Sequence, residues 1–118
     1  MQNAEIVDCL PYINVEDALG RVRGNRAVFK SLLSVFLRED YCQKLQDQLY
    51  AGDLPSAAHT AHALKGVAAN LSLRALYEAV LMVELRLKSE IPPDDMLARL
   101  MHTREETRRR AEQLLTVL

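Results

Sequence analysis

Apolar residues recur every three or four positions along most of the chain, the spacing that places side chains on one face of an α-helix. This pattern predicts one long helix over residues 26–50, with an apolar face of Phe29, Leu32, Leu33, Phe36, Leu37, Leu45 and Leu49. It predicts further helices over residues 54–71, 73–89 and 94–118. No segment alternates between apolar and polar residues with the period of two that indicates a strand.

Residues that commonly cap helices stand where these patterns begin. Asn14 predicts the start of a short first helix, and Asp17 three residues later resembles the second half of a capping box. Asn25 is expected to cap the long helix. Asp53 is expected to cap the next one, where Pro55 occupies the first turn and its missing N–H is harmless.

The predicted elements indicate an all-α fold, an antiparallel up-down four-helix bundle with the short first helix capping one end. The loops between the long helices are short, and Ile91-Pro92-Pro93 is expected to close the helix that precedes it. No Ser/Gly-rich linker or low-complexity stretch divides the chain. We therefore expect residues 1–118 to form a single domain.

Composition agrees with a helical domain and excludes several functions. Aromatic residues make up 5% of the chain and tryptophan is absent, so Leu, Val, Ala and Met must fill the core. A net charge of −1 leaves no domain-wide basic field for nucleic acid, and the interleaved charges of residues 104–110 predict a solvated helix face.

No apolar run long enough for a membrane span and no signal segment occur. The two cysteines, Cys9 and Cys42, are expected at core or boundary positions of a cytoplasmic protein.

The helix predicted over residues 54–71 carries a histidine that should face solvent. On a helical wheel, the aliphatic side chains of Leu64, Val67 and Leu71 lie opposite His62. Burying His62 would expose those aliphatic side chains, which the hydrophobic effect disfavours. His62 is therefore expected on the outer face of the helix.

The residues around His62 on that outer face are small and almost uncharged. They include Ala58, His59, Gly66 and Ala69, whereas a solvent face is normally rich in charged residues. From residue 54 to residue 73, Lys65 carries the only formal charge. This composition predicts a surface where a partner protein docks close to the histidine.

Lys65 and Gly66 indicate a chemical role for His62 on the outer face. A neutral imidazole is a nucleophile, and a lysine three residues later can offset the charge of an anion attached to it. Glycine inside a helix costs about 1 kcal/mol relative to alanine. Gly66 lies on the outer side, so it is expected to clear space beside the imidazole. Together these residues favour reversible phosphorylation of His62, with Lys65 expected to be solvated.

The run His62-Ala63-Leu64-Lys65-Gly66 matches the HxxKG motif of histidine-containing phosphotransfer (HPt) domains. Residues 61–71 resemble the active-site helix of that family, and the segments at 13–19, 23–25 and 49–53 resemble its flanking parts. The resemblance covers residues 13–88. Ser72 departs from it, because the family often has glycine there; we expect Ser72 to cap the following helix.

The resemblance implies a phosphocarrier without kinase activity of its own. His62 would accept a phosphoryl group from the aspartyl phosphate of one receiver domain and pass it to the aspartate of another. Lys65 would stabilise the phosphoryl oxygens. The chain would need no cofactor, since Mg²⁺ would be held by the receiver. The expected partners are response-regulator receiver domains, a hybrid sensor kinase, or both, and the expected state is a monomer.

The sequence leaves two alternatives to phosphotransfer, a helical adaptor and a metal site. A helical adaptor that binds receiver or kinase domains without transferring phosphate could keep the same surface, but it would not need His62 and Lys65. A metal site at His59 and His62 lacks the third ligand that zinc requires. His102 has no partner motif and is expected at the surface. The chain could be a free-standing carrier or a module of a larger hybrid kinase.

Overall fold

The computed structural model describes residues 11–89 and 93–118, and this part of the chain is helical with no strand. Its helices, in order, are α1 (Val15–Arg21), α2 (Arg26–Arg38), α3 (Tyr41–Tyr50), α4 (Leu54–Asn70), α5 (Arg74–Lys88) and α6 (Asp94–Val117). The predicted all-α fold is confirmed. None of these helices is both long and apolar enough to cross a membrane. Cys9 and most of the predicted Ile91-Pro92-Pro93 helix end lie outside the described residues.

The predicted N-caps of three helices are confirmed. The Asn14 side chain accepts a hydrogen bond from the backbone N–H of Asp17 at 3.0 Å, which satisfies one of the free donors at the start of α1. Asn25 caps α2 by accepting from the N–H of Val28 at 3.1 Å. Asp53 caps α4 in the same way, and Pro55 lies in its first turn.

The prediction of one continuous helix over residues 26–50 is wrong. Helix α2 ends at Arg38 and α3 begins at Tyr41. The Asp40 carboxylate accepts a hydrogen bond from the N–H of Gln43 at 3.3 Å, so it caps a new helix. Apolar residues keep their helical spacing across the break, which is why the hydrophobic pattern alone did not reveal it.

Asp40 also forms an ion pair with Arg104 of the last helix, which links the α2–α3 break to α6. The Nε atom of Arg104 donates to Oδ1 of Asp40 at 3.0 Å, and Nη2 contacts Oδ2. The Arg104 side chain is only 15% exposed. The predicted solvated face over residues 104–110 is therefore wrong for Arg104, which joins α6 to the start of α3. It is also wrong for Thr107, which is fully buried.

Helix α1 packs against α2, and α3 to α6 each pack against the next helix in the chain. Helix α6 closes the bundle against α2 and α3. Connections of three residues join α3 to α4 and α4 to α5. Short connections favour the antiparallel up-down order, which stays a prediction. The largest fully buried side chains come from helices α2 to α6, from the segment before α1 and from the α4–α5 connection. They include Ile13, Phe29, Leu33, Leu45, Leu64, Leu73, Leu76, Leu100 and Leu114.

Cys42 belongs to this core, as predicted from the sequence. Burial raises the pKa of its thiol to about 12. Because the thiolate is the reactive form, Cys42 is an inert packing residue.

Candidate functional site

Helix α4 presents His62 to solvent because its opposite face is buried. The buried positions of this helix are Ala57, Thr60, Ala61, Leu64 and Ala68. They recur at three- and four-residue spacing and pack α4 against α3 and α5. The exposed position predicted for His62 is confirmed. Within the described part of the chain, its imidazole has no hydrogen-bond or ion-pair partner, so the ring nitrogen that carries no proton is free to react.

The predicted small residues lie beside His62, and we call them the α4 outer face: Ala58, His59, Gly66 and Ala69. The first three are exposed and Ala69 is half-buried. Beyond the nearby backbone of its own helix, a Cβ atom on Gly66 would meet no heavy atom of the described residues within 4 Å. Gly66 therefore leaves open space next to the histidine and is not required for packing between helices.

The expectation that Lys65 is solvated is wrong. Its Nζ atom lies 2.9 Å from Oε1 of Glu84 on α5, and its side chain is only 23% exposed. Lys65 is directed toward the α4–α5 interface because a carboxylate is buried there. The backbone of Lys65 nevertheless lies one helical turn from His62, as the three-residue spacing predicts.

Glu84 is the residue at this site that sequence reasoning missed. Its side chain is 5% exposed, and its Oε1 atom also lies 3.2 Å from Nζ of Lys88. Burial alone would raise the pKa of Glu84, but the hydrogen bonds from Lys65 and Lys88 hold it below its ordinary value. One signal was present in the sequence: Glu84 stands four residues after Val80, on the apolar face of its own helix.

Ser72 does not cap α5, contrary to the prediction. The N-cap residue is Leu73, whose side chain makes no capping hydrogen bond. Ser72 has φ +55°, a left-handed conformation that favours glycine. Its hydroxyl donates a hydrogen bond to Asp17, and its carbonyl accepts from the N–H of Asn14 at 3.0 Å. The turn after α4 is thereby tied to α1.

An apolar groove lies beside the C-terminal half of α4. Leu32 and Val35 of α2 line it together with Val67 and Asn70 of α4. Leu32 and Val35 are about 40% exposed, although both are aliphatic. Asn70 is one helical turn beyond Gly66, so the groove continues the α4 outer face toward α2.

The other two histidines do not build a metal site. His59 and His102 are both exposed, as the sequence predicted for His102. In residues 11–89 and 93–118, no group of three or more His, Cys, Asp or Glu side chains could hold a metal ion.

Comparison with protein-family models identifies the family of this chain. The family model for the Hpt domain matches residues 31–116, from within α2 to the end of α6. The chain belongs to the Hpt domain family. Hpt domains serve histidine phosphotransfer in phosphorelays, act as phosphocarriers rather than kinases, and interact with receiver domains and kinases of two-component systems. No curated protein and no solved structure matches the chain.

Proposed function

We propose that this Hpt domain carries a phosphoryl group on His62, taking it from the aspartyl phosphate of one receiver domain and passing it to the aspartate of another. The observation that carries the proposal is the exposed imidazole of His62, which has no partner in residues 11–89 and 93–118 and lies beside the open space at Gly66. A receiver must bring its aspartyl phosphate within bonding distance of the imidazole, and a bulky side chain at position 66 would obstruct this approach.

The transfer needs no general base on this chain. The unprotonated nitrogen of a neutral imidazole donates its electron pair to phosphorus, and the P–O bond to the aspartate breaks. The aspartate leaves as a carboxylate with the electrons of that bond. Onward transfer reverses these steps at the second receiver. The exposed position of His62 leaves this nitrogen accessible to the phosphorus atom of a docked receiver.

Lys65 is the proposed partner of the phosphoryl oxygens. It lies one helical turn from His62 and is the only formally charged residue between residues 54 and 73. An ammonium beside a phosphoryl group stabilises the added negative charge. The Mg²⁺ of the reaction is assigned to the receiver, and the chain needs no cofactor of its own.

The α4 outer face and the adjoining apolar groove form the proposed docking surface for the receiver. Ala58, His59 and Ala69 would contact the partner around His62. Leu32 and Val35 would supply the exposed apolar area that a transient interface uses at its centre.

The test is phosphotransfer from a panel of phosphorylated receiver domains to the purified chain. The expected product is an acid-labile, base-stable phosphoprotein that a second receiver can dephosphorylate. The His62→Gln variant should fold normally and remain unlabelled. Receiver binding without any transfer would instead support the adaptor function, and labelling that survives His62→Gln would refute the assignment of His62.

A further inference from the structure

Lys65 is already engaged before any phosphoryl group is present. Its Nζ atom donates to Oε1 of Glu84 at 2.9 Å, and Nζ of Lys88 lies 3.2 Å from the same oxygen. The second oxygen of Glu84, Oε2, is buried and has no hydrogen-bond partner among the residues that the structure describes. The proposed phosphoryl stabiliser is thus held by a buried carboxylate with only partial hydrogen bonding of its own.

We propose that Glu84 is a positioning residue that competes with the phosphoryl group on His62 for the ammonium of Lys65. This inference rests on the proposed function and deepens it. By retaining part of the Lys65 charge, Glu84 limits how strongly the phosphohistidine is stabilised. The phosphoryl group then stays transferable to the next receiver.

The geometry allows Lys65 to serve both anions. Its ammonium has three N–H donors on a flexible four-carbon stem, and its backbone is one helical turn from His62. The Nζ atom can therefore turn from the α4–α5 interface toward the phosphoryl oxygens, or bridge the two anions.

Lys88 makes this exchange possible without isolating a charge. A buried carboxylate that loses its only cation destabilises the fold strongly. Glu84 has a second cation, because Lys88 on the same helix contacts the same oxygen from a side chain that is 69% exposed. When Lys65 moves toward the phosphoryl group, Lys88 keeps Glu84 paired.

The experiment measures the charge environment of the phosphoryl group directly. The full chain is phosphorylated with phosphoramidate: an imidazole nitrogen bonds to phosphorus, the P–N bond of the donor breaks, and ammonia leaves. The second ionisation of the phosphoryl group on His62 is then followed by ³¹P NMR as a function of pH. Glu84→Gln should lower this pKa by about half a unit, since Lys65 is released to the phosphoryl anion.

A double-mutant cycle separates competition for Lys65 from direct repulsion by the Glu84 charge. The effect of Glu84→Gln should be clearly smaller in a Lys65→Met background. The matched control is Glu78→Gln, which removes the same charge from an exposed position of α5 that has no ion pair with Lys65. It should leave the pKa of the phosphoryl group unchanged.

A surface variant provides an independent route that does not disturb the buried carboxylate. Lys88→Met leaves Glu84 with Lys65 alone, so it should raise the pKa of the phosphoryl group more in the presence of Lys65 than in the Lys65→Met background. Equal effects of Glu84→Gln and of Lys88→Met in both backgrounds would overturn the competition. A wild-type chain that takes no phosphate on His62 would overturn the proposed function itself, which is a distinguishable result.

Discussion

The Lys65 ammonium lies 2.9 Å from a Glu84 oxygen, so one ion pair links the helix that carries His62 to its neighbour α5. The two residues are 19 positions apart in sequence. The same lysine is the only formally charged residue between residues 54 and 73. It therefore has a structural role in the unphosphorylated protein as well as its proposed role in phosphotransfer.

Replacement of Lys65 should destabilise the domain measurably. Lys65→Ala leaves the buried Glu84 with Lys88 alone, and we expect the free energy of unfolding to fall by about 1–2 kcal/mol. Lys88→Ala is the matched control on the exposed side of the same carboxylate, with an expected loss of about 0.5 kcal/mol. Urea denaturation of both variants checks this. Equal losses would show that Lys65 is no more important to Glu84 than a surface cation.

The Asp40–Arg104 pair should make stability sensitive to acid. The hydrogen bonds from Arg104 hold the pKa of Asp40 below its ordinary value, so the pair stabilises the fold above the unfolded pKa of about 3.9. This contribution is lost as the pH falls through the lower, folded pKa. Asp40→Asn keeps a good N-cap but removes the charge, with an expected cost of about 1 kcal/mol at pH 7.

The difference in stability between wild type and Asp40→Asn should therefore shrink as the pH is lowered below about 4. Thermal unfolding followed by circular dichroism over a pH series measures it. A difference that stays constant down to acid pH would contradict a charge-dependent link between α3 and α6.

The left-handed turn after α4 should prefer glycine to alanine. Ser72→Ala removes the hydrogen bond to Asp17 and keeps a Cβ at φ +55°, whereas Ser72→Gly removes the same bond but tolerates this conformation. We expect the glycine variant to be more stable than the alanine variant by about 1 kcal/mol. Thermal melts of the two variants decide the point; a more stable alanine variant would contradict the left-handed turn.

A long side chain at Gly66 should block receiver docking without harming the fold. Because a Cβ at this position would meet open space among the described residues, Gly66→Gln should keep or improve helicity and thermal stability. Phosphorylation of His62 by phosphoramidate should persist, since that donor is small, while transfer from a phosphorylated receiver should fall at least tenfold. The control is Ala98→Gln, which adds the same side chain at an exposed position of α6. Normal transfer from the receiver to Gly66→Gln would contradict the proposal that the open space at Gly66 is needed for receiver docking.

Local signals in the sequence predicted much of this structure. The side chains of Asn14, Asn25 and Asp53 cap helices where the sequence places them, because capping depends on residues only three positions apart. The apolar pattern does not reveal the break after α2, although Asp40 and Gln43 have the spacing of a cap and its N3 residue. The continuous apolar spacing masked that signal.

The sequence also predicts which side of α4 is exposed, but it does not predict the ion pair that Lys65 forms. The orientation of His62 follows from the helical period and the large aliphatic side chains opposite it. The partner of Lys65 depends on which residue of another helix packs alongside, and no pattern within α4 reports this. The bond from Ser72 to Asp17, 55 residues apart, was hidden for the same reason.

The central claim is that His62 carries the phosphoryl group, and mapping the modified residue after transfer from a phosphorylated receiver tests it most directly. Fragmentation mass spectrometry under basic conditions should locate the phosphoryl group on His62 alone. Labelling should vanish in His62→Gln and remain at the wild-type level in His102→Gln, which changes an exposed histidine on α6. Phosphate found on another residue, or undiminished labelling of His62→Gln, would contradict the account.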